Sequence, residues 1–322
     1  MTLQELVDEI DRQPAWENQG TRAPHKPLTI LYAIGKALAG TRMMRYAEAA
    51  PELSALLDQF GPPRAVQHPE QPVWRLRQYN SVPTSFWNLA GPLNTVEAAG
   101  GNPRVGVMRE SVSFGLSEEA ARLLCENPAN ACALAAILAA KIVPPTLEGE
   151  LLEAVGIGEA ASLGGTASLG GGSARLAVAA ASPVLVTRAV QTVSALVRNP
   201  AFARKVRAAY EGSCAICAIA PRLENRLFGL EAAHIRWANA GGPDEIRNGI
   251  LLCRMHHHAL DRGAIRIDEH LKVQVSPRLA RDPRSDEVFA RFDGEKIREP
   301  KQKCDHPHRE MLEWHWREVF KG

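Results

Sequence analysis

Apolar residues recur at helical spacing through most of the first half of the chain. After Pro51, three leucines and a phenylalanine fall on one face of a helix within nine residues, and proline favours the first turn of a helix. An apolar run of helical length also follows Pro27, and Ser117 can cap a helix that begins EEAARLL, because serine is a good N-terminal cap. With further helical patterns over 130–141 and 147–155, this part of the chain is predicted to be mainly helical.

The remaining pattern predicts strands. Residues 72–90 are rich in bulky and aromatic side chains, which is typical of short strands and turns. Towards the C-terminus, a helix capped by Asn199 is followed by a strand over LEAAHI, a glycine-rich loop, a strand over NGILL and a helix near Met255–Arg262. The order strand, loop, strand, helix predicts a ββα unit, and the whole chain is predicted to have an α+β fold.

A stretch rich in glycine, alanine and serine separates the two parts. Its sequence from residue 156 is GIGEAASLGGTASLGGGS, which carries almost no charge and too little apolar surface to order itself. We therefore predict a flexible linker over 156–183. It would join an N-terminal domain over 1–155 to a C-terminal domain over 184–322.

Composition and charge exclude little beyond a membrane protein. The chain of 322 residues has 45% hydrophobic residues and a net charge of +2, and it contains no run of about 18 apolar residues that would span a bilayer. Residues 201–322 hold 22 Lys and Arg against 18 Asp and Glu, so a basic face for nucleic acid is allowed but not demanded. The acidic N-terminus lacks the basic start and apolar run of a signal peptide, so we expect a soluble cytoplasmic protein.

Two pairs of metal-binding residue types have the spacing of a zinc site. Cys214 and Cys217 form one pair, and Cys253 and His256 form the other, each with two residues between the ligands. The thiols of a cytoplasmic protein stay reduced, which favours metal binding over a disulfide. Four sulfur and nitrogen ligands can close a tetrahedron around a structural Zn²⁺. We therefore predict that zinc holds the helix near residue 255 against the preceding knuckle.

Three polar residues near this knuckle carry the main resemblance to a known family. His234 lies in the strand LEAAHI, Asn248 begins the segment NGILL, and His257 follows directly after a predicted zinc ligand. In this order on strand, strand and helix, they make residues 199–270 resemble the HNH, or ββα-metal, nucleases. Hydrolysis of a phosphodiester needs a base for the attacking water and a cation that neutralises charge in the transition state.

The resemblance implies a role for each of these residues. His234 would be the general base, because a neutral imidazole can accept a proton near pH 7. His257 would bind the catalytic Mg²⁺ or Mn²⁺, and Asn248 would orient the base or complete the metal site. Neighbouring residues on a helix point about 100° apart, so His256 can face the zinc while His257 faces the strands.

One position departs from many members of the family, which have a metal-binding aspartate directly before the base histidine. Here that residue is Ala233, as in a subgroup with the sequence AAHI. Metal binding would then depend on His257, Asn248, water and the phosphate itself. Glu231 and Asp261 are weaker further candidates, because acidic residues are usually solvated.

The first 155 residues resemble the sulfur-binding domain of phosphorothioation-dependent, McrA-like restriction endonucleases. The matching stretches are HKPL from His25, FGPPR from Phe60, HPEQPVWRL from His68 and VPPTL from Val143. The resemblance implies a domain that reads double-stranded DNA in which sulfur replaces a non-bridging phosphate oxygen. The family often has tyrosine before the proline in the middle of the third stretch, whereas this chain has Gln71.

The expected target suggests which residues bind it. Sulfur is larger, softer and less hydrated than oxygen, so a shallow apolar cavity favours it. The resemblance points to Pro72 as part of that cavity. His25 and Lys26 would hold the other phosphate oxygens. Arg104 and Arg109, in a glycine-rich stretch that predicts a loop, would hold phosphate or read guanine in a groove.

Together the two halves predict a modification-dependent restriction endonuclease that recognises phosphorothioated double-stranded DNA and cuts nearby. One alternative is an HNH nuclease that recognises a modified base, and another is a zinc-stabilised DNA-binding protein without catalysis. The intact set of His234, Asn248 and His257 argues against the second alternative, because binding alone requires none of them. The sequence leaves the oligomeric state open, with a homodimer as one option.

Overall fold

The structure is a computed structural model. It describes four parts of the chain, residues 1–13, 23–98, 100–157 and 199–322. The chain divides into two compact units, Met1–Ala195 and Leu196–Gly322. Nearly all of the predicted linker, from residue 158 onward, lies outside the described residues, so its flexibility and the exact domain limits stay predictions.

The described part of the first unit consists mainly of helices with short strands between them. Its helices are α1 (Leu3–Asp11), α2 (His25–Leu38), α3 (Tyr46–Phe60), α4 (Glu70–Arg75), α5 (Leu93–Val96), α6 (Val105–Ser111), α7 (Glu118–Cys125), α8 (Pro128–Ile142) and α9 (Glu148–Ala154). Its strands are β1 (Met43–Arg45), β2 (Gln78–Tyr79), β3 (Val82–Pro83), β4 (Trp87–Ala90) and β5 (Ser113–Leu116). The predicted fold class, a mainly helical part with a short sheet, is confirmed for this unit.

Helix α2 forms the centre of this unit. It contacts α3, α4, α7, α8 and β5, and its residues Leu28 and Ile34 are completely buried. An antiparallel sheet has the strand order β1–β5–β4, in which Phe114 of β5 pairs with Met44 on one side and Leu89 on the other. The apolar face of α2 and this small sheet therefore share one core.

Helix α3 begins five residues before the start predicted at Pro51. It opens at Tyr46, whose backbone N–H donates to the carbonyl oxygen of Val112, and Pro51 lies inside the helix. Proline removes one backbone hydrogen bond there. The burial of Tyr46, Ala49 and Ala50 outweighs that loss, because the packing of an apolar face supplies most of the stability of a helix in a protein.

The prediction of strands over residues 72–90 is wrong for residues 72–75. They belong to α4, where Pro72 stands in the first turn and gives up no helical hydrogen bond. Trp74 of this helix is buried and donates from Nε1 to the carbonyl oxygen of Gly101, 3.0 Å away. The aromatic residue that suggested a strand is thus a core residue of a helix, and the predicted strands begin only at β2.

The predicted loop around Arg104 and Arg109 is partly helical. Arg104 directly precedes α6, and Arg109 lies within it. The helix is anchored by Met108, which is completely buried, while Arg109 stays exposed beside it. The glycines that suggested a loop come before this helix, where Gly100 and Gly101 adopt positive φ angles of 85° and 76°.

The second unit carries the predicted ββα arrangement. Its described helices are α10 (Pro200–Ala209), α11 (Arg254–Asp261), α12 (Pro283–Val288) and α13 (Arg309–Glu318). Its described strands are β6 (Arg222–Leu223), β7 (Arg226–Leu227), β8 (Leu230–His234), β9 (Gly249–Cys253), β10 (Ile265–Ile267) and β11 (Val273–Val275). As predicted, the side chain of Asn199 caps the first of these helices by accepting from the backbone N–H of Ala201.

Strands β8 and β9 are antiparallel, with His234 opposite Gly249 at one end and Leu230 opposite Cys253 at the other. Helix α10 packs across both strands, and α11 follows directly after β9. Gly249 permits the close approach of α10, because a Cβ atom at this position would lie 2.4 Å from Cγ2 of Val206. The two strands and the two helices thus share one core, and the polar residues of interest project from its edges.

No single described helix is long and apolar enough to cross a membrane. Helices α7 and α8 reach the required length and apolar composition only as a pair, and they meet at a bend of 106°.

Candidate functional site

The four predicted zinc ligands come together in one cluster. The ligand atoms of Cys214, Cys217, Cys253 and His256 all lie within 4.8 Å of one another. The first two cysteines follow α10, whereas Cys253 ends β9 and His256 lies in the first turn of α11. In the described parts of the chain, no other group of three or more His, Cys, Asp or Glu side chains is placed to hold a metal ion in this way.

The spacing within the cluster fits a tetrahedral metal ion. The Sγ atoms of Cys217 and Cys253 are 3.9 Å apart, and Nδ1 of His256 is 3.7 Å from Sγ of Cys214 and 3.1 Å from Sγ of Cys253. Metal–sulfur and metal–nitrogen bonds of about 2.3 and 2.0 Å at tetrahedral angles would place the ligand atoms roughly 3.5–3.8 Å apart. The other ring nitrogen of His256 lies 2.9 Å from the carbonyl oxygen of Val288, a contact that leaves Nδ1 to bind a metal.

His234, at the end of β8, lies in a half-enclosed position. Its side chain is 16% exposed, and its Nε2 atom is 2.8 Å from Oδ1 of Asp244. Its ring stacks on that of Phe202 of α10, with the centroids 4.2 Å apart. Burial lowers the pKa of His234 by more than the carboxylates of Asp244 and Asp261 raise it. The imidazole is therefore neutral at pH 7, and it can accept a proton from water that reaches its exposed edge.

Asn248 is buried and holds the loop between the two strands. Its Oδ1 atom accepts from the backbone N–H of Arg236 at 2.8 Å. Its Nδ2 atom donates to the carbonyl oxygens of Arg236 and Pro243, each at 3.0 Å. These bonds hold the part of the loop that places Asp244 beside His234, so the amide acts on the backbone around His234.

His257, on α11, lies between two carboxylates. Its Nδ1 atom is 2.8 Å from Oε2 of Glu231, and its Nε2 atom is 3.2 Å from Oδ2 of Asp261. Burial lowers the pKa of His257, but the carboxylates of Asp261 and Glu231 outweigh burial and raise it to about 9. The ring between them is thus a cation at neutral pH, and a divalent ion bound there would replace its proton.

The structure places His234 and Asn248 at one end of the β8–β9 pair and His257 on α11 against Glu231 of β8, and each histidine has acidic neighbours. His234 and His257 are close enough for each charge to affect the other, and Asn248 directly precedes the residue that pairs with His234. One neighbour had a signal in the sequence, since Asp261 follows His257 at the i, i+4 spacing of one helix face. Asp244 had none, because it lies in a loop.

In the first unit, predicted sulfur-binding residues lie on or beside α4. Pro72 is buried in the first turn of α4. His25 and Lys26 are the first two residues of α2, which packs on α4. Burial, together with the charge of Arg75 on α4, lowers the pKa of Lys26. An anion bound near Lys26 and Arg75 would therefore relieve the repulsion between two cations.

A glycine-rich loop is attached to the same helix and leads into α6. Arg75 donates from Nη2 to Oδ1 of Asn102 in this loop at 3.0 Å. Arg104 donates to the carbonyl oxygen of Thr95 at 3.2 Å, and the exposed Arg109 interacts electrostatically with Tyr46. The predicted residues thus form two groups, one beside α4 and one along α6.

His234 at the end of β8, Asn248 just before β9 and His257 on α11 give the second unit the arrangement of a ββα-metal nuclease domain. Family models identify both domains. Residues 3–160 match the ScoMcrA-like DNA sulfur-binding domain, and residues 214–268 match the HNH endonuclease. The chain therefore joins a DNA sulfur-binding domain to an HNH endonuclease domain, as its sequence predicted.

Solved structures resemble parts of the chain only distantly, so the two family models carry the assignment. The sulfur-binding domain of ScoMcrA complexed with phosphorothioated DNA is 22% identical, with 48% of this chain and 96% of that chain covered and a TM-score of 0.39. The corresponding structure of SprMcrA is 20% identical, with 50% and 97% covered and a TM-score of 0.39. The modification-dependent TagI restriction endonuclease is 22% identical over 37% of each chain, with a TM-score of 0.28.

This chain therefore spans little more than a third of the TagI structure's length. Curated proteins give no significant match.

Proposed function

We propose that this protein is a modification-dependent restriction endonuclease that recognises phosphorothioated double-stranded DNA and hydrolyses phosphodiester bonds nearby. The observation that carries the proposal is the presence, in one chain, of a sulfur-binding domain and an HNH domain. The neutral and partly exposed imidazole of His234 supports catalysis over simple binding. The enzyme would act on DNA in the cytoplasm.

His234 would act as the general base. Its ring takes a proton from a water molecule, the water oxygen forms a bond to phosphorus, and the bond from phosphorus to the leaving oxygen breaks. The leaving oxygen then takes a proton from solvent. Phe202 supports one face of the base through the ring stack, and the loop held by Asn248 restricts the ring at Nε2.

His257, together with the carboxylate beside one of its ring nitrogens, would hold the catalytic Mg²⁺ or Mn²⁺, and water and the DNA phosphate would complete the coordination. Glu231 lies against Nδ1 and Asp261 against Nε2, on opposite sides of the ring. One carboxylate can therefore share the ion with the imidazole, while the other accepts a hydrogen bond from the remaining ring N–H. The ion would neutralise charge on the phosphate and on the leaving oxygen. Asn248 is engaged with the loop, so its proposed role is to orient the base.

The cluster of Cys214, Cys217, Cys253 and His256 is proposed to hold a structural Zn²⁺. Three thiolates and one imidazole form a closed four-coordinate set, which is typical of structural zinc and leaves no position for substrate. The ligands come from the turn after α10 and from the junction of β9 and α11. The ion would therefore fix the start of the helix that carries His257.

The first unit is proposed to select the target. Pro72 would form the apolar floor of a cavity in which sulfur loses less hydration than oxygen would. Lys26 and Arg75 would neutralise the charge that remains on the phosphorothioate. Arg104 and Arg109 would contact the neighbouring backbone or the base edges.

The full chain is expected to bind a phosphorothioated duplex more tightly than the matched unmodified duplex. The preference should persist between about 50 and 200 mM salt while binding to the unmodified duplex fades, because desolvation of sulfur depends little on counterions. Fluorescence anisotropy with duplexes of several sequences, and with sulfur in each of its two configurations, measures this preference.

Equal affinity for modified and unmodified duplexes in every sequence context would reject the sulfur reader. A matched duplex with a methylated base tests the alternative of a modified base, because a preference for that duplex alone would assign the reader to base modification. The mass of the complex then shows whether one chain or a homodimer occupies each site.

Helix α10 gives the second unit a basic face next to the base. Arg204, Lys205 and Arg207 are exposed on this helix, which carries no acidic residue. No ion pair joins any of the three to another described residue. Phe202 of the same helix stacks on His234, so these cations are proposed to bind the phosphates that flank the scissile bond.

Replacing Arg204, Lys205 and Arg207 together with alanine is expected to weaken binding of unmodified duplex and to flatten its salt dependence. The slope of log K against log salt should fall by about 0.9 for each phosphate contact that is lost. A matched variant, with Lys296, Lys301 and Arg317 replaced by alanine, removes the same charge elsewhere on this unit. An equal change of slope in both variants would show that net charge, and not α10, is responsible.

A further inference from the structure

The hydrogen bond to Asp244 is the one contact of this kind that the His234 ring makes within the described parts of the chain. Oδ1 of Asp244 lies 2.8 Å from Nε2 of His234. The second ring nitrogen, Nδ1, has no hydrogen-bond partner among the described residues. Phe202 covers a face of the ring, not its edge, so Nδ1 is the nitrogen left for water.

The placement of Asp244 depends on the loop and not on the carboxylate itself. Asn248 holds this loop through the backbone of Arg236 and Pro243. The side chain of Asp244 is 44% exposed, so it contributes little to the core. Its one evident contact is with the base, which is the arrangement expected of a group that acts on the imidazole.

We propose that Asp244 is a positioning residue for the base His234, an inference that rests on the nuclease function proposed above. Its carboxylate accepts a hydrogen bond from Nε2–H and so selects the tautomer in which Nδ1 carries the lone pair. Nδ1 then takes the proton from water, the ring becomes an imidazolium with a proton on each nitrogen, and the adjacent carboxylate stabilises that positive charge. An aspartate that orients a histidine in this way serves catalysis without losing its own charge.

The position of this carboxylate matters because the chain lacks an acidic residue directly before the base. Ala233 stands there and is completely buried, so the strand offers no carboxylate at that position. The loop supplies a carboxylate instead, from Asp244, which follows His234 by ten residues. The alternative role for Asp244 is to bind the catalytic metal, and the two roles have different consequences.

The test compares Asp244→Ala with Glu245→Ala, since Glu245 is the neighbouring exposed carboxylate and the one described hydrogen bond of the His234 ring goes to Asp244. We expect Asp244→Ala to lower the cleavage rate at saturating DNA by on the order of 10-fold or more, with the Kd for DNA, the zinc content and the affinity for Mn²⁺ unchanged. Glu245→Ala should cleave as the wild type does. Loss of Mn²⁺ affinity in Asp244→Ala would assign the residue to the metal and overturn the proposal.

The pH dependence separates positioning from a structural defect. The carboxylate of Asp244 raises the pKa of His234, so its removal should move the acid limb of the rate profile to lower pH even though the maximum rate falls. The other charged groups that face the ring, Asp261 and His257, are retained in the variant. A lower rate with an unmoved acid limb would mean that Asp244 only supports the loop, and it would overturn the proposal.

The tautomer of His234 can be measured without a cleavage assay. In the full chain labelled with ¹⁵N-histidine, the His234 signals are identified by their absence from His234→Ala. Above the pKa of His234, the wild type should carry its proton on Nε2, and Asp244→Ala should show a mixture of tautomers. A wild-type proton on Nδ1, or an unchanged tautomer in the variant, would refute the positioning role independently of whether the protein cuts DNA.

Discussion

Replacing His234 with alanine is expected to abolish DNA cleavage and to leave DNA binding intact. The base acts on the attacking water and not on the affinity for DNA, so its loss should cost at least ~10²-fold in rate. Cleavage of a phosphorothioated plasmid with Mn²⁺ measures the rate, and a gel shift with the same DNA measures binding. Retained cleavage would remove His234 from the role of base.

His270→Ala is the matched control for this variant. His270 is exposed in the turn between β10 and β11, so the same substitution there removes an imidazole without touching the site. It should cleave at the wild-type rate. If the wild-type protein binds the plasmid but does not cut it with either Mg²⁺ or Mn²⁺, the chain is a binding protein. The two variants would then show equal affinity for DNA.

Replacing Cys217 with serine is expected to release one metal ion per chain and to unfold the second unit. A structural zinc contributes about 10–16 kcal/mol in small domains, whereas a whole domain is stable by only about 5–15 kcal/mol. The free energy lost with the zinc therefore exceeds what the apolar core of this unit can offset. Elemental analysis measures the metal, and circular dichroism with limited proteolysis measures the unfolding.

Cys304→Ser is the control, because Cys304 is an exposed thiol of the same unit and stands outside the cluster. It should keep both its metal and its fold. The first unit is a separate compact unit, so Cys217→Ser should still prefer phosphorothioated duplex. Folded wild-type protein without zinc would contradict the proposed ion, and a different bound metal would correct its identity.

Features that depend on local spacing could be predicted from the sequence. The four clustered Cys and His side chains form two pairs with two residues between partners, and each pair can meet in a single turn of chain. The helix caps at Ser117 and Asn199 require only contacts to the following turn. These features are confirmed in the structure because the interactions that form them span a few residues.

The limits of helices were less predictable, because tertiary burial can outweigh a local rule. Proline favours the first turn of a helix, yet α3 runs on both sides of Pro51 because Tyr46 and its neighbours pack into the core. Bulky residues favour strands, yet Trp74 lies in a helix. Its hydrogen bond to Gly101, in a distant loop, anchors that helix. The energy of these contacts comes from residues that are far apart in the sequence.

The sequence by itself determined the class of this protein, because the order of His234, Asn248 and His257 beside a metal knuckle is a pattern along the chain. Only the tertiary structure decided what surrounds those residues. It places Asp244 against His234 and encloses His257 between two carboxylates. The pKa of each histidine depends on its burial and on charges that the fold brings within a few ångströms. Those distances cannot be read from the spacing of residues along the chain.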